Sequence, residues 1–175
     1  MGTRATLTQE NQVNAMFYTK LESPLGTLLL EANDSGLCAL SFAGSKRAAR
    51  PHPGATQDDA PFAETIRQLQ AYFRGELKDF DLPLALIGTP FQLRVWQRLR
   101  AIPFGETISY GQLAKQIGQP KAARAVGLAN GSNPIPIIVP CHRVIGSNGH
   151  LTGYGGGLSI KEKLLAFESR QLPLL

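Results

Sequence analysis

The stretch SYGQLAKQIGQPKAARAVG, residues 109–127, decides the architecture of the C-terminal half of this chain. Ser109 stands three residues before Gln112, which is the spacing of a capping box, so we expect a helix over Tyr110–Ile117. The tripeptide GQP breaks that helix, and its proline, Pro120, can start a second helix through KAARAVGLANG. A helix, a tight turn and a second helix together predict a helix-turn-helix.

Further capping boxes lie on either side of this unit. TPFQ (Thr89–Gln92) opens a helix that Pro103 ends, and SIKE (Ser159–Glu162) opens another. On the first of these helices the residues expected inward are Phe91, Val95, Trp96 and Leu99, and those expected outward are Arg94, Gln97, Arg98 and Arg100. Residues 89–175 are therefore predicted to form a mainly helical domain.

The N-terminal half, residues 1–88, has the pattern of a small antiparallel sheet with a helix. The segments MFYTKLE, TLLLEA and LCALSF alternate with the turn sequences SPLG and NDSG, which predicts three short strands joined by hairpins. After a polar loop at residues 44–60, a helix is expected from Pro61 to the residue before Gly75. FDLPLALI then predicts one more strand. The predicted fold class is α+β, with residues 1–88 and 89–175 as two domains.

Composition and charge indicate the class of partner. The 175 residues are 43% hydrophobic, which is enough for a sizeable core. Residues 1–88 hold 8 Lys/Arg and 10 Asp/Glu, whereas residues 89–175 hold 10 Lys/Arg and 3 Asp/Glu. A half with a net charge of +7 beside one of −2 favours a polyanion, nucleic acid before membrane; the alternative is an ordinary solvated basic surface.

The lack of a recognisable targeting signal and the low cysteine content predict a cytoplasmic protein. The start MGTRATLTQENQVNA lacks the apolar run of a signal peptide, and no stretch is long and apolar enough for a membrane span. With Cys38 and Cys141 as the only cysteines, a disulfide framework is not expected. Cys38 and His52 cannot supply the four ligands of a structural zinc site, so we expect no metal.

The most reactive group in the sequence lies in IIVPCHRVIG. The apolar run Ile135–Val139 suits a buried strand that the following proline ends, and Cys141, His142 and Arg143 come directly after it. A thiol acts as a nucleophile only as thiolate, so it needs a proton acceptor. Because adjacent side chains diverge, a water between Cys141 and His142 is expected rather than direct contact.

An imidazole that acts as a base needs a group to orient it, and Glu168 is the best candidate. The inward stripe Ile160, Leu164 and Phe167 puts Glu168 at its edge, although an ordinary surface glutamate is the alternative. A cysteine hydrolase would use the same thiol and imidazole, but it would turn over repeatedly.

The second helix of the helix-turn-helix is thinned by alanines, so it could approach a duplex closely. Lys121 and Arg124 are its basic side chains, suited to a phosphate and to the base stack. Two alternatives stay open: an alanine-rich core helix with one surface arginine, and a transcriptional regulator that reads an operator sequence.

Several ordered motifs together resemble one family. They are PCHRV at 140–144, KAARAVG with Arg124, SNP with Asn133, SYGQLA with Tyr110, and GYGGGLSIKEKLLAFE ending at Glu168. In these motifs the chain resembles the O-6-alkylguanine-DNA alkyltransferases, also called methylated-DNA–protein-cysteine methyltransferases. The resemblance runs from Gly88 to Glu168, and the N-terminal half is similar in size and strand pattern to the family's ribonuclease H-like domain.

The resemblance implies DNA repair without a cofactor. Cys141 would take the alkyl group from O-6-alkylguanine, with O-4-alkylthymine as a second lesion, in one irreversible event after base flipping. His142 would act through water as the base, Glu168 would orient it, and Asn133 would hold the active-site turn to the recognition helix.

The resemblance also implies a DNA interface in the minor groove of double-stranded DNA, bound by a monomer with cooperativity left open. Tyr110 would crowd the phosphate and donate to the extruded base, Arg124 would fill the gap in the stack, and Tyr154 would close the base pocket. The Gly155 amide would donate to the lesion oxygen. The remaining DNA-binding residues implied by the resemblance are Lys121, Ala123 and Arg143.

Overall fold

The computed structural model describes residues 15–45 and 50–170. The polar start, residues 1–14, and positions 46–49 of the loop at 44–60 lie outside the described residues. Three hairpin-connected strands confirm the predicted N-terminal sheet: β1 (Phe17–Leu21), β2 (Leu28–Asn33) and β3 (Gly36–Phe42). They pair antiparallel in the order β3-β2-β1. The loop adds a two-residue strand, β4 (Thr56–Gln57), parallel to β1.

A helix follows the sheet along the chain, as predicted, but the segment after the helix is not a strand. A 3₁₀ turn over Ala60–Phe62 leads into α1 (Ala63–Phe73). In FDLPLALI the one bridge to the sheet joins Leu84 to Leu37. A Cβ on Gly36 would lie 2.3 Å from the Pro83 carbonyl oxygen, so the glycine permits this close approach. The predicted extra strand is therefore wrong, because Pro83 has no N–H to donate to a ladder.

The C-terminal half contains four helices among the described residues: α2 (Pro90–Leu99), α3 (Tyr110–Gln116), α4 (Ala123–Gly131) and α5 (Leu158–Arg170). The capping boxes that open α2 and α3 are both formed, at Thr89 and Ser109. The third predicted capping box is wrong. The Gly157 carbonyl accepts the Lys161 amide at 3.2 Å, so the helix begins before Ser159, which lies inside it.

The apolar run before Cys141 forms a buried turn, so the strand predicted there is wrong. The Asn133 side chain replaces strand partners: its Oδ1 accepts the Ile135 amide at 3.0 Å and its Nδ2 donates to the Val139 carbonyl at 2.7 Å. Ile137 has φ 74°, a left-handed conformation that is uncommon for a branched residue. The chain leaves the site through β6 (Val144–Ile145), which pairs parallel with β5 (Ile108–Ser109) at the start of α3.

One hydrophobic core runs through both halves. Tyr72 on α1 packs its ring against four aromatic rings from both halves: Phe73, Phe80, Phe104 and Phe167. At the other end of the interface, a Cβ on Gly156 would lie 2.7 Å from the ring of Phe42 on β3. The N-terminal half thus packs directly against the elements that carry the candidate site. No helix among the described residues is long and apolar enough to cross a bilayer.

Candidate active site

The three polar residues after the buried turn lie on a single 3₁₀ turn, Cys141–Arg143, and all are buried. Pro140 precedes this turn, and the Cys141 amide donates to the Val139 carbonyl at 2.8 Å. The Nδ2 of Asn130 on α4 donates to the Cys141 carbonyl at 3.3 Å. The thiol is therefore carried on a segment that is hydrogen-bonded to α4.

Glu168 on α5 is the acceptor around which the buried polar groups gather. His142 Nε2 lies 2.8 Å from its Oε1, and Arg143 donates to both carboxylate oxygens, at 2.8 and 2.9 Å. The hydroxyl of Tyr72 donates to Oε1 at 2.7 Å and the Gly105 amide donates to Oε2 at 3.2 Å. Burial alone would raise the pKa of Glu168, but the donors His142 and Arg143 hold that pKa well below its usual range. The carboxyl group is ionised at neutral pH.

The ionised carboxylate decides which imidazole nitrogen is free. Because Glu168 can only accept, Nε2 of His142 carries the hydrogen and Nδ1 keeps its lone pair. This Nδ1 is buried without a hydrogen-bond partner among the described residues. Burial lowers the pKa of His142 against the opposing effect of Glu168, so the imidazole is neutral. A buried, unpartnered acceptor of this kind marks a place for a water or a reacting group.

The thiol beside it is held in the protonated state. Burial raises the pKa of Cys141 to about 11, and the Asn133 side chain and the Lys161 ammonium oppose this rise. Lys161 is itself fully buried and donates to the carbonyls of Val144 and Thr152, at 2.7 and 2.9 Å. A nucleophile in this environment needs a base at the moment of reaction.

Arg143 is placed inside the protein. The residue is 4% exposed, and besides Glu168 its guanidinium bonds the Ile102 carbonyl at 2.6 Å. This burial contradicts the prediction that Arg143 binds DNA, because a phosphate cannot reach a guanidinium that already neutralises a buried carboxylate. Nothing in the motif PCHRV indicates whether the Arg143 side chain faces the core or the solvent, so the sequence alone did not reveal its burial.

The predicted DNA-side residues gather around an open groove of about 600 Å³. Its lining includes five of the predicted residues: Tyr110, Ala123, Arg124, Tyr154 and Gly155. Thr152 Oγ1 donates to the Tyr110 hydroxyl at 3.1 Å across the groove, and the Tyr154 hydroxyl is buried without a partner among the described residues. Lys121 is exposed on the turn before α4 and is not part of this lining.

Sequence reasoning missed four residues at the site. Leu128 lines the groove and is 73% exposed, one helical turn after Arg124. Lys161 lies three residues before Leu164, so its place on the inward stripe of α5 was a usable signal. Asn130 and Tyr72 carried no signal, because their partners are remote in sequence.

A metal site is not evident in the part of the chain that the structure describes. No group of three or more His, Cys, Asp or Glu side chains within residues 15–45 and 50–170 could hold an ion. The carboxylate of Glu168, the guanidinium of Arg143 and the ammonium of Lys161 are instead hydrogen-bonded to other side chains or to backbone.

Comparison with known proteins agrees with this arrangement. The profile of the 6-O-methylguanine DNA methyltransferase ribonuclease-like domain matches residues 16–86, and that of the DNA-binding domain matches residues 90–170. The chain belongs to this methyltransferase family. It is 54% identical to the methylated-DNA–protein-cysteine methyltransferase of Methanosarcina acetivorans over 87% of this chain and 98% of that protein. The corresponding protein of Mycolicibacterium paratuberculosis is 53% identical over 89% of this chain and 94% of that protein.

Solved structures of methyltransferases from this family share the fold. The crystal structure of Mycobacterium tuberculosis OGT in complex with DNA has a TM-score of 0.83 and 53% identity, over 90% of this chain and 95% of that one. The O6-methylguanine-DNA methyltransferase of Pyrococcus kodakaraensis has a TM-score of 0.65 and 26% identity, over 87% and 98% of the two chains. These likenesses confirm the predicted α+β fold with its ribonuclease-like first half.

Proposed function

We propose that this protein repairs DNA by moving the alkyl group of O-6-alkylguanine onto Sγ of its own Cys141. The observation that carries the proposal is the pairing of a buried thiol with His142, whose Nε2 is held by Glu168 while Nδ1 is left as an unpartnered acceptor. Membership of the methyltransferase family supports the same reaction.

The reaction needs no group from outside the protein and its substrate. A water between the two side chains passes the thiol proton to Nδ1 of His142, and the sulfur attacks the alkyl carbon. A carbon–sulfur bond forms as the carbon–oxygen bond breaks, and its electron pair stays with the guanine. The guanine then takes a proton, so that in sum the thiol hydrogen replaces the alkyl group. A thioether resists hydrolysis, and each molecule therefore acts once.

Base flipping follows from the burial of the nucleophile. Cys141 is 4% exposed, and the groove beside it is lined by Tyr110 and Tyr154, with Gly153 and Gly155 leaving open space where a side chain would stand. A guanine inside a duplex cannot bring its oxygen to this thiol. It must leave the stack, at a cost of a few kcal/mol.

DNA is the partner, and we propose that α4 meets it in the minor groove. The helix presents exposed Arg124 and Leu128 on its groove side, and its small residues Ala123 and Gly127 permit close approach to the sugars. Exposed Lys121 on the preceding turn is suited to a phosphate.

The proposal also covers the domain boundary, the cellular compartment, a second lesion and the oligomeric state. A boundary between domains at residues 88 and 89 fits the profile matches to 16–86 and 90–170. Cys141 must stay reduced to accept an alkyl group, which favours action in the cytoplasm. O-4-alkylthymine offers the same alkyl–oxygen chemistry in a smaller ring. A single chain carries every group that the reaction uses, so the protein acts as a monomer.

Intact-protein mass spectrometry tests the proposal. With excess duplex containing O-6-methylguanine, the protein should gain one methyl group on the peptide that contains Cys141 and then stop. Cys141→Ala should bind the duplex and gain nothing. Sustained turnover, as expected of a cysteine hydrolase, or a methyl group on Cys38 would overturn the proposal.

A further inference from the structure

The N-terminal half sends one polar atom into the candidate active site. Tyr72 on α1 is fully buried, and its hydroxyl donates to Oε1 of Glu168 at 2.7 Å across 96 residues of sequence. Among the described residues that hydrogen-bond the Glu168 carboxylate, Tyr72 is the one that belongs to the N-terminal half.

We propose that Tyr72 is a positioning residue for alkyl transfer, through which the N-terminal half holds Glu168 in the orientation that His142 requires. The inference rests on the proposed function, because the relay of Glu168 and His142 has a role only if the thiol is activated. It gives the first half a part in the chemistry beyond packing.

The geometry of the carboxylate is the first argument. Oε1 accepts from Tyr72, from His142 and from Nη2 of Arg143, whereas Oε2 accepts from Nε of Arg143 and the Gly105 amide. Donors from α1, from the 3₁₀ turn and from the backbone therefore approach the carboxylate from different elements. Without the tyrosine hydroxyl, Oε1 loses the donor that comes from outside the C-terminal half, and the carboxylate gains freedom to rotate away from the imidazole.

The nature of the surrounding core is the second argument. The ring of Tyr72 lies among Phe73, Phe80, Phe104 and Phe167, where a phenylalanine would serve packing equally well. Burial, reinforced by Glu168, raises the pKa of Tyr72 well above its usual value, so the hydroxyl stays protonated and remains a donor. A hydroxyl at this position has one evident partner, the carboxylate.

The hydroxyl also affects how strongly Glu168 attracts a proton on His142. The charged and titratable groups that face this pair are Tyr72 from α1, Arg143 and Cys141 from the 3₁₀ turn, Tyr154 from the loop after β6, and Lys161 from α5. Burial lowers the pKa of His142, and Arg143 adds to this effect, so the imidazole is neutral and able to accept the thiol proton. The Tyr72 hydroxyl donates to the same carboxylate and so withdraws negative charge from it. Loss of the hydroxyl leaves more negative charge facing the imidazole and favours its protonated form.

The variant Tyr72→Phe tests the inference, with Tyr18→Phe as its matched control. Tyr18 lies in the same half and loses an exposed hydroxyl whose partner is Gln57, so the same chemical change is made away from the site. The rate of methyl transfer to Cys141 is measured from pH 5 to 9, with methylated duplex and with free O-6-methylguanine. Thermal unfolding and duplex affinity are measured on both variants.

The expected result is a loss of about tenfold in the transfer rate of Tyr72→Phe near neutral pH, alike on both substrates, by analogy with the loss of groups that orient metal-binding histidines. Its acidic limb should move to higher pH, since the imidazole is protonated more readily. Tyr18→Phe should match the unaltered protein. A changed melting temperature with an unchanged rate and pH limb would reduce Tyr72 to a packing residue and overturn the inference. If the unaltered protein itself transferred nothing to Cys141, the proposed function would fail instead.

Discussion

Oε1 of Glu168 lies 2.8 Å from Nε2 of His142, and both side chains are fully buried. Glu168 belongs to the last helix, α5, and His142 to the 3₁₀ turn that carries the thiol. This hydrogen bond joins α5 to the turn on which Cys141 lies. The same carboxylate also neutralises the buried Arg143, so loss of its charge would leave the guanidinium buried without an anion.

Replacing Glu168 with glutamine should change both the rate of methyl transfer and the stability of the fold, and the two are measured separately. The imidazole loses its anionic partner, so methyl transfer should slow about a hundredfold while duplex affinity stays nearly unchanged. Arg143 is left buried without an anion, which should lower the free energy of unfolding by about 3 kcal/mol. Rapid-quench assays and urea unfolding measure the two quantities. The apparent pKa of the Cys141 thiol, read from its alkylation rate against pH, should rise. An unchanged pH profile would mean that Glu168 has a purely structural role.

Arg124 should matter for duplex DNA but not for the isolated base. Its side chain is exposed on α4 beside the groove, where it can fill the space that a flipped base leaves. Arg124→Ala should slow repair of a methylated duplex by at least about tenfold and leave the reaction with free O-6-methylguanine unchanged. Arg67→Ala, which removes an exposed arginine of the N-terminal half, is the control. Equal losses on both substrates would contradict a role in flipping.

Lys121 and Leu128 should weaken DNA binding in distinguishable ways. Lys121→Ala removes a cation, so the slope of log affinity against log salt should fall by about one. Leu128→Ala removes an exposed apolar side chain at the groove, so affinity should fall a few-fold with the slope unchanged. Fluorescence anisotropy with an undamaged duplex at several salt concentrations measures both. A changed slope for Leu128→Ala would show that its effect is not apolar contact.

Stability should fall as pH drops below about 6.5, the usual pKa of histidine. The pKa of buried His142 is lowered in the folded state, so the unfolded chain binds more protons there and acid favours unfolding. Glu168, whose folded-state pKa is also lowered, adds a second loss that begins near pH 4.3. Urea midpoints from pH 8 to 4 give the profile. In His142→Gln the decline between pH 6.5 and 5 should flatten, because the buried imidazole whose pKa is lowered in the folded state is gone. An equally steep decline would contradict this origin.

Local features were predictable because their causes lie within a few residues. The capping boxes at Thr89 and Ser109 each join groups three positions apart, and the hairpins of the first sheet follow from short turn sequences. The motif PCHRV, with Arg124 and Glu168 at their places in neighbouring motifs, was enough to identify the family and to predict Cys141 as the nucleophile.

Only the tertiary structure decided which way the polar residues turn and which partners they bind. Arg143 points into the core because its guanidinium pairs with the buried carboxylate of Glu168. Ile135–Val139 forms a turn because the side-chain amide of Asn133 hydrogen-bonds its backbone. The hydroxyl of Tyr72 reaches the carboxylate only after the two halves have packed together. Pairs so distant in sequence leave no periodic signal, since a buried charge or hydroxyl takes whichever partner the completed core brings within hydrogen-bond distance.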